Sequence, residues 1–154
     1  MRLLAALPLL ALASCATTRD APAEPPGPAP VQIVAARQAA FNLTAATFGN
    51  LRGAVESGAE VKPLTFAVRG IAKWAHALPA MFPPGTDLPE SRALPAVWQD
   101  RAGFEAKAAA FQAETARLLT AAGTGDKAAF AVAYKAVGGT CASCHSSYRA
   151  EEAR

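Results

Sequence analysis

Phe130, Val137 and Cys144 fall on one seven-residue row, and Tyr134, Cys141 and Tyr148 fall on the row beside it. Apolar side chains recurring at this interval mark a helix with one buried face. Both rows run from ordinary hydrophobes into Cys141-Ala142-Ser143-Cys144-His145, so the cysteines continue the core face of a last helix. C-x-x-C-H is the spacing of covalent c-type haem attachment. Positions 141, 144 and 145 are related by i, i+3 and i+4, which sets all three on one side of a helix. The two thiols would bond the vinyl groups of one porphyrin edge, and the imidazole would take an axial position on the iron. The expectation is a helical core in which one flat haem c replaces packed side chains.

Other chemistries fit the same residues less well. A thioredoxin-type pair needs a strand–helix junction, and no strand pattern precedes Cys141. A zinc site lacks a fourth ligand, because His76 is the only other histidine and there is no second cysteine pair. A disulfide between residues three apart on a helix closes too short a loop to stabilise much.

The rest of the chain reads as helix. Val34, Phe41, Phe48 and Val55 repeat every seven residues with Leu51 on the adjoining row, ending near Gly58. Leu64, Val68, Ile71, Ala75 and Leu78 form a second stripe, with Pro63 tolerable in its first turn. Pro79 to Pro95 holds five prolines and Gly85, so it is expected to be a loop. Val97, Phe104, Phe111 and Leu118 predict a third helix, opened by Trp98 and stopped at Gly123-Thr124-Gly125. A fourth starts near Asp126, whose carboxylate suits a helix N-terminus. Gly138-Gly139 lowers helix propensity just before the cysteines; it predicts a close approach of macrocycle or neighbouring helix, or a mild kink. The fold class is all-α: an antiparallel up-down-up-down four-helix bundle over residues 31–154, with covalently bound haem in its core.

Residues 1–14 read as an export signal, with one charge at Arg2 and an apolar run too short to span a bilayer. Leu12-Ala13-Ser14-Cys15 is similar to the lipobox of bacterial lipoproteins, which implies cleavage before Cys15 and its acylation. Ordinary signal-peptidase cleavage after Ala16 is the alternative. Ala16 follows Cys15 where an inner-membrane retention signal would place aspartate. This predicts lipid anchoring to the outer membrane, on the periplasmic side of the envelope. The Pro-rich linker completing 15–30 would space the domain from the membrane. Assigning Cys15 to lipid and Cys141 and Cys144 to haem uses all three cysteines.

Several segments together resemble cytochrome c′, the class II c-type cytochromes. They are Arg37-Gln38-Ala39-Ala40-Phe41, Phe82-Pro83-Pro84-Gly85-Thr86, Trp98, and Val137 through Arg149 around C-x-x-C-H. Nine residues follow His145 and none is methionine, unlike the arrangement of class I cytochromes. The resemblance implies that His145 is the proximal iron ligand and that Arg37 partners a haem propionate. It places Phe41 over the distal iron face, where a hydrocarbon leaves the iron five-coordinate. Arg149, four residues after His145, would flank the proximal pocket or favour the helix C-terminus. Thr44 is polar where many relatives are apolar. His76 and Met81 could each supply a sixth ligand, but a boundary histidine and a gap-filling methionine are the ordinary roles. Trp74 and Trp98 read as core or interface aromatics.

The resemblance further implies nitric oxide and carbon monoxide as ligands, with oxygen disfavoured by Phe41 crowding and the lack of an obvious distal donor. Redox partner proteins and dimerisation through the first two helices also follow from it. An electron-transfer cytochrome with six-coordinate haem is the alternative, and a helical envelope protein with a redox C-x-x-C a more distant one. No acid–base pair, nucleophile–base arrangement or phosphate loop supports an enzyme. The small net charge, +3 for the full chain, gives no reason to expect nucleic acid.

Overall fold

The computed structural model describes residues 27–151. The expected export signal, Cys15 and most of the Pro-rich linker lie outside the described residues. Among the described residues four long helices form the antiparallel bundle, and the only β feature is one isolated bridge. Helix α1 spans Pro30–Ser57, so the last linker residue is already helical. Proline serves well there because the first helical N–H has no intrahelical partner. The helix ends at Gly58, which takes a left-handed φ of 65° that a side chain would resist. A 3-10 turn at Lys62–Leu64 absorbs Pro63 and leads into α2, Thr65–Ala77. Another 3-10 turn, Leu78–Met81, opens the proline-rich loop.

The third predicted helix is two. Val97 and Trp98 belong to a single turn, α3 (Ala96–Gln99), and α4 runs separately over Arg101–Thr124. Asp100 breaks the helix at φ −113°, ψ 59°, and its Oδ1 accepts the Gly103 N–H at 3.1 Å. This is ordinary N-capping, and it explains why an apolar period that crosses Asp100 does not make one helix. Val97 and Phe104 are buried all the same. Gly125 stops α4 with a left-handed φ of 81°. Asp126 then caps α5, Lys127–Tyr148, by accepting the Ala129 N–H at 2.9 Å.

Helix α4 is central, packing against both α2 and α5, while α1 lies against α2 and touches α5 over a short stretch. Leu51, Val68, Ile71, Leu118, Phe130 and Val137 fill the core. Phe48 of α1 stacks on Tyr134 of α5 with centroids 4.3 Å apart. The glycine pair does not break α5. A Cβ at Gly138 would meet only Phe48 at ordinary contact distance, and one at Gly139 would meet nothing, so this structure shows no close helix approach there.

The end of α5 is tied to the α3–α4 joint. Tyr148 donates its hydroxyl proton to Asp100 Oδ2 at 2.7 Å. The donation, with help from the Gly103 N–H, holds the Asp100 carboxyl below its usual range. The same bond, reinforced by desolvation, pushes the Tyr148 phenol up to about 12. Gly103 sits against this pair so closely that a methyl group would overlap the Asp100 carboxylate and press on the Tyr148 hydroxyl. Gly103→Ala is therefore expected to lower the melting temperature by about 4 °C, the shift one kcal/mol produces at about 2.1 cal/mol/K of unfolding entropy per residue. An unchanged melting curve for the holoprotein would show that this contact is not limiting.

Candidate haem site

Helix α5 runs unbroken through residues 141–145, so Cys141, Cys144 and His145 share one face as their spacing requires. Both cysteines are half-buried and border the main core, and both are free thiols. Burial pushes the Cys141 thiol up. Cys144 is pushed up by burial and then by Cys141, partly opposed by the Lys107 ammonium. Lys107 reaches across from α4 and donates to Ser143 Oγ at 2.6 Å. His145 is also half-buried. Burial first, then the positive charges of Arg149 and Arg92, lower its pKa and favour the neutral imidazole. A neutral ring keeps a nitrogen lone pair free for a metal.

Two neutral thiols and a neutral imidazole on one helix face fit a haem c. The group needs two S–H bonds to add across its vinyl groups and one nitrogen to meet its iron. An aromatic group gathers around Phe41. Phe41 on α1 meets Trp74 on α2 edge-to-face at 5.1 Å and Phe82 of the loop at 6.3 Å. Phe82 continues to Phe104 at 5.0 Å, and Phe104 to Tyr148 at 5.5 Å. A continuous line of rings thus joins Phe41 to the last residue of the haem-motif helix.

Arg37 is 2 % exposed, an unusual setting for a cation. Its Nη1 donates to the Thr86 hydroxyl at 2.8 Å and the Met81 carbonyl at 3.2 Å. Its Nη2 donates to the Thr86 carbonyl at 2.7 Å and the Ser91 hydroxyl at 2.6 Å. The guanidinium also lies 4.4 Å from the Phe82 ring centroid. Burial lowers its pKa. Its partners here are neutral oxygens of the loop rather than a carboxylate. A buried guanidinium needs its N–H groups satisfied, and the loop supplies acceptors that no local spacing around Arg37 could reveal.

Arg149 lies four residues after His145 but not on its helix. Helix α5 ends at Tyr148, and Arg149 is extended at φ −125°, ψ 131°. It pairs antiparallel with Ala93, flanked by Leu94 N–H to Tyr148 O at 3.0 Å and Ala150 N–H to Arg92 O at 2.8 Å. Its charge still acts on His145, from outside the helix. Trp98 fixes the loop by donating Nε1–H to the Pro83 carbonyl at 3.0 Å. His76 is exposed on α2, whereas Met81 is half-buried against the core.

Sequence reasoning missed Lys107, the Asp100–Tyr148 tie and the Arg37 acceptors Thr86 and Ser91. Only Asp100 carried a local signal, as a capping residue ahead of an apolar period.

The family described as Cytochrome C′ matches residues 32–149. The cytochrome c′ of Cereibacter sphaeroides is 35 % identical over 155 residues, covering 96 % of this chain and 93 % of the relative. A nitric oxide complex of a cytochrome c′ variant from Alcaligenes xylosoxidans superposes with a TM-score of 0.74 and 32 % identity. It covers 80 % of this chain and 97 % of its own. A carbon-monoxide-bound variant from the same organism gives 0.74 and 32 %, covering 80 % and 98 %. The chain belongs to the cytochrome c′ family and, like its other members, carries a single haem c bound covalently through cysteines.

Proposed function

We propose that this protein is a five-coordinate haem protein that binds nitric oxide and carbon monoxide at the cell envelope, and is not an enzyme. In this reading Cys141 and Cys144 form the thioethers, His145 is the one protein ligand to iron, and Phe41 covers the opposite face. Bound haem supplies an iron with an open axial position and a ferrous–ferric couple. The observation that carries the proposal is the placement of Phe41 inside the aromatic group of Trp74 and Phe82. A phenyl ring has no lone pair for iron, so it shields without ligating. Exposure of His76 supports the same reading, since a ring directed to solvent is poorly placed for a core metal. The relatives solved with nitric oxide and carbon monoxide are consistent with these ligands.

The remaining residues position these parts. Arg37 clamps the 81–91 loop and with it Phe82, one neighbour of Phe41. A propionate role for Arg37 would require exchange of a loop partner, and the 3.2 Å bond to Met81 is the longest of the four. Arg149 disfavours protonation of His145. Burial of the ring line keeps water from the distal side, and Phe41 crowding disfavours oxygen.

No helix among the described residues is long and apolar enough to cross a membrane. Attachment is proposed through an acyl chain on Cys15, on the periplasmic side of the outer membrane. Fatty-acid labelling that persists in Cys15→Ser would exclude it. Redox partner proteins and a second copy of the chain complete the reading. Leu43 of α1 and Phe66 of α2, 70 % and 85 % exposed, offer apolar surface for pairing on the first two helices.

Visible spectra of the ferric, ferrous and nitric-oxide-treated protein test the central claim. High-spin bands in both redox states, with a new spectrum on nitric oxide addition, are expected. A low-spin six-coordinate spectrum in both states would replace gas binding by simple electron transfer.

A further inference from the structure

Trp74 Nε1 is the one buried side-chain nitrogen or oxygen among the described residues that has no hydrogen-bond partner. The other tryptophan is satisfied, with Trp98 Nε1–H bonded to the Pro83 carbonyl. Buried polar groups in native proteins are nearly always paired, so an isolated exception points to a partner other than the chain itself. Phenylalanine would keep an aromatic ring there without leaving a donor unmet. The indole belongs to the aromatic group around the site: it packs on the core and meets Phe41 edge-to-face at 5.1 Å.

Resting on the distal-face reading of Phe41, we propose that Trp74 determines ligand specificity by donating its indole N–H to the outer atom of a diatomic molecule bound beneath Phe41. The loop holds Arg37 away from this task, since both of its terminal nitrogens are bonded to Met81, Thr86 and Ser91. Thr44, three residues after Phe41 and half-buried on the same helix, is a second polar candidate, whereas Asn42 is exposed and Gln38 is engaged by the Glu90 carbonyl. Trp74 is the stronger candidate because its N–H is both shielded from water and unpaired. Such a donor strengthens as the ligand gains electron density from iron, so it holds polarised ligands longer; the missing distal donor then no longer counts against oxygen, and its exclusion falls to Phe41 crowding alone. Phe41 would then govern arrival and Trp74 departure.

Carbon monoxide on the ferrous holoprotein is the probe. Trp74→Phe is expected to raise the C–O stretching frequency, because a donor at oxygen promotes back-donation and its removal reverses it. Carbon monoxide dissociation should accelerate about fivefold, the weight of one neutral hydrogen bond. Thr44→Val should leave the band in place. In the unmodified protein, exchange into deuterium oxide should shift the band slightly, a readout that does not depend on the variant folding. An unmoved band in Trp74→Phe overturns the proposal, whether the N–H then points at the Phe41 ring or, if the reduction potential changes, at a propionate. A band that moves with Thr44→Val instead also overturns it. Failure of the underlying reading looks different: a low-spin six-coordinate spectrum before any gas is added.

Discussion

Cys141→Ala combined with Cys144→Ala is expected to abolish covalent haem retention entirely, so that organic extraction of the denatured variant removes all colour while the parent keeps it. The thiols sit one helical turn apart on the side of α5 that borders the core. Burial holds both in the S–H form, and Cys141 adds to it at Cys144. Cys141 and Cys144 would hold the haem group by adding S–H across its two vinyl double bonds, sulfur to one carbon and hydrogen to the other, with no oxidant needed. Single replacements should each leave one thioether and an altered pyridine haemochrome band. Heating should also separate the forms. The parent core is closed by a covalently fixed group, whereas the double variant would hold haem only through the proposed His145 bond and packing. Haem that stays attached in the double variant would place the linkage on another residue and undo the assignment.

Phe41→Ala should carry the second large effect, on the kinetics of ligand arrival. The phenyl ring is half-buried between Trp74 and Phe82, with edge-to-face contacts to both. Fully burying such a ring is worth about 1.5–3 kcal/mol, and aromatic pairs add about 0.5–1.5 kcal/mol. A ligand that must push the ring aside meets part of that energy as a barrier. Removing the ring is therefore expected to speed carbon monoxide association roughly ten- to a hundredfold. Flash photolysis of the ferrous carbonyl measures this directly, and dissociation should change far less. An unaltered association rate would mean that Phe41 is only core packing and that another group covers the iron.

Cys141, Cys144 and His145 were legible because their chemistry and their geometry lie in five consecutive residues. Once helix is established, the spacing alone places them on one face. The stripes of α1, α2 and α5 were legible for the same reason, as were the stops at Gly58 and Gly125. The third stripe misled because apolar periodicity reports which side chains are buried, not whether the backbone between them is continuous. Val97 and Phe104 share the core, yet Asp100 separates their helices. Arg149 misled similarly: counting four residues from His145 assumes a helix that has already ended.

Arg37 and Trp74 show where local reading stops. Nothing within a turn of Arg37 announces Thr86 or Ser91, which lie 49 and 54 residues away and reach it only when the loop folds back. Trp74 reads as one more apolar residue on α2 until the packing shows that its N–H is enclosed without an acceptor. Helical periodicity and the C-x-x-C-H spacing were thus set by the chain itself, because both depend on interactions within a few residues. Which groups gather around Phe41, and which donor is left unpaired there, was decided only by tertiary contact between α1, α2 and the 79–95 loop. Hydrogen-bond satisfaction in a core belongs to the assembled neighbours rather than to any one segment.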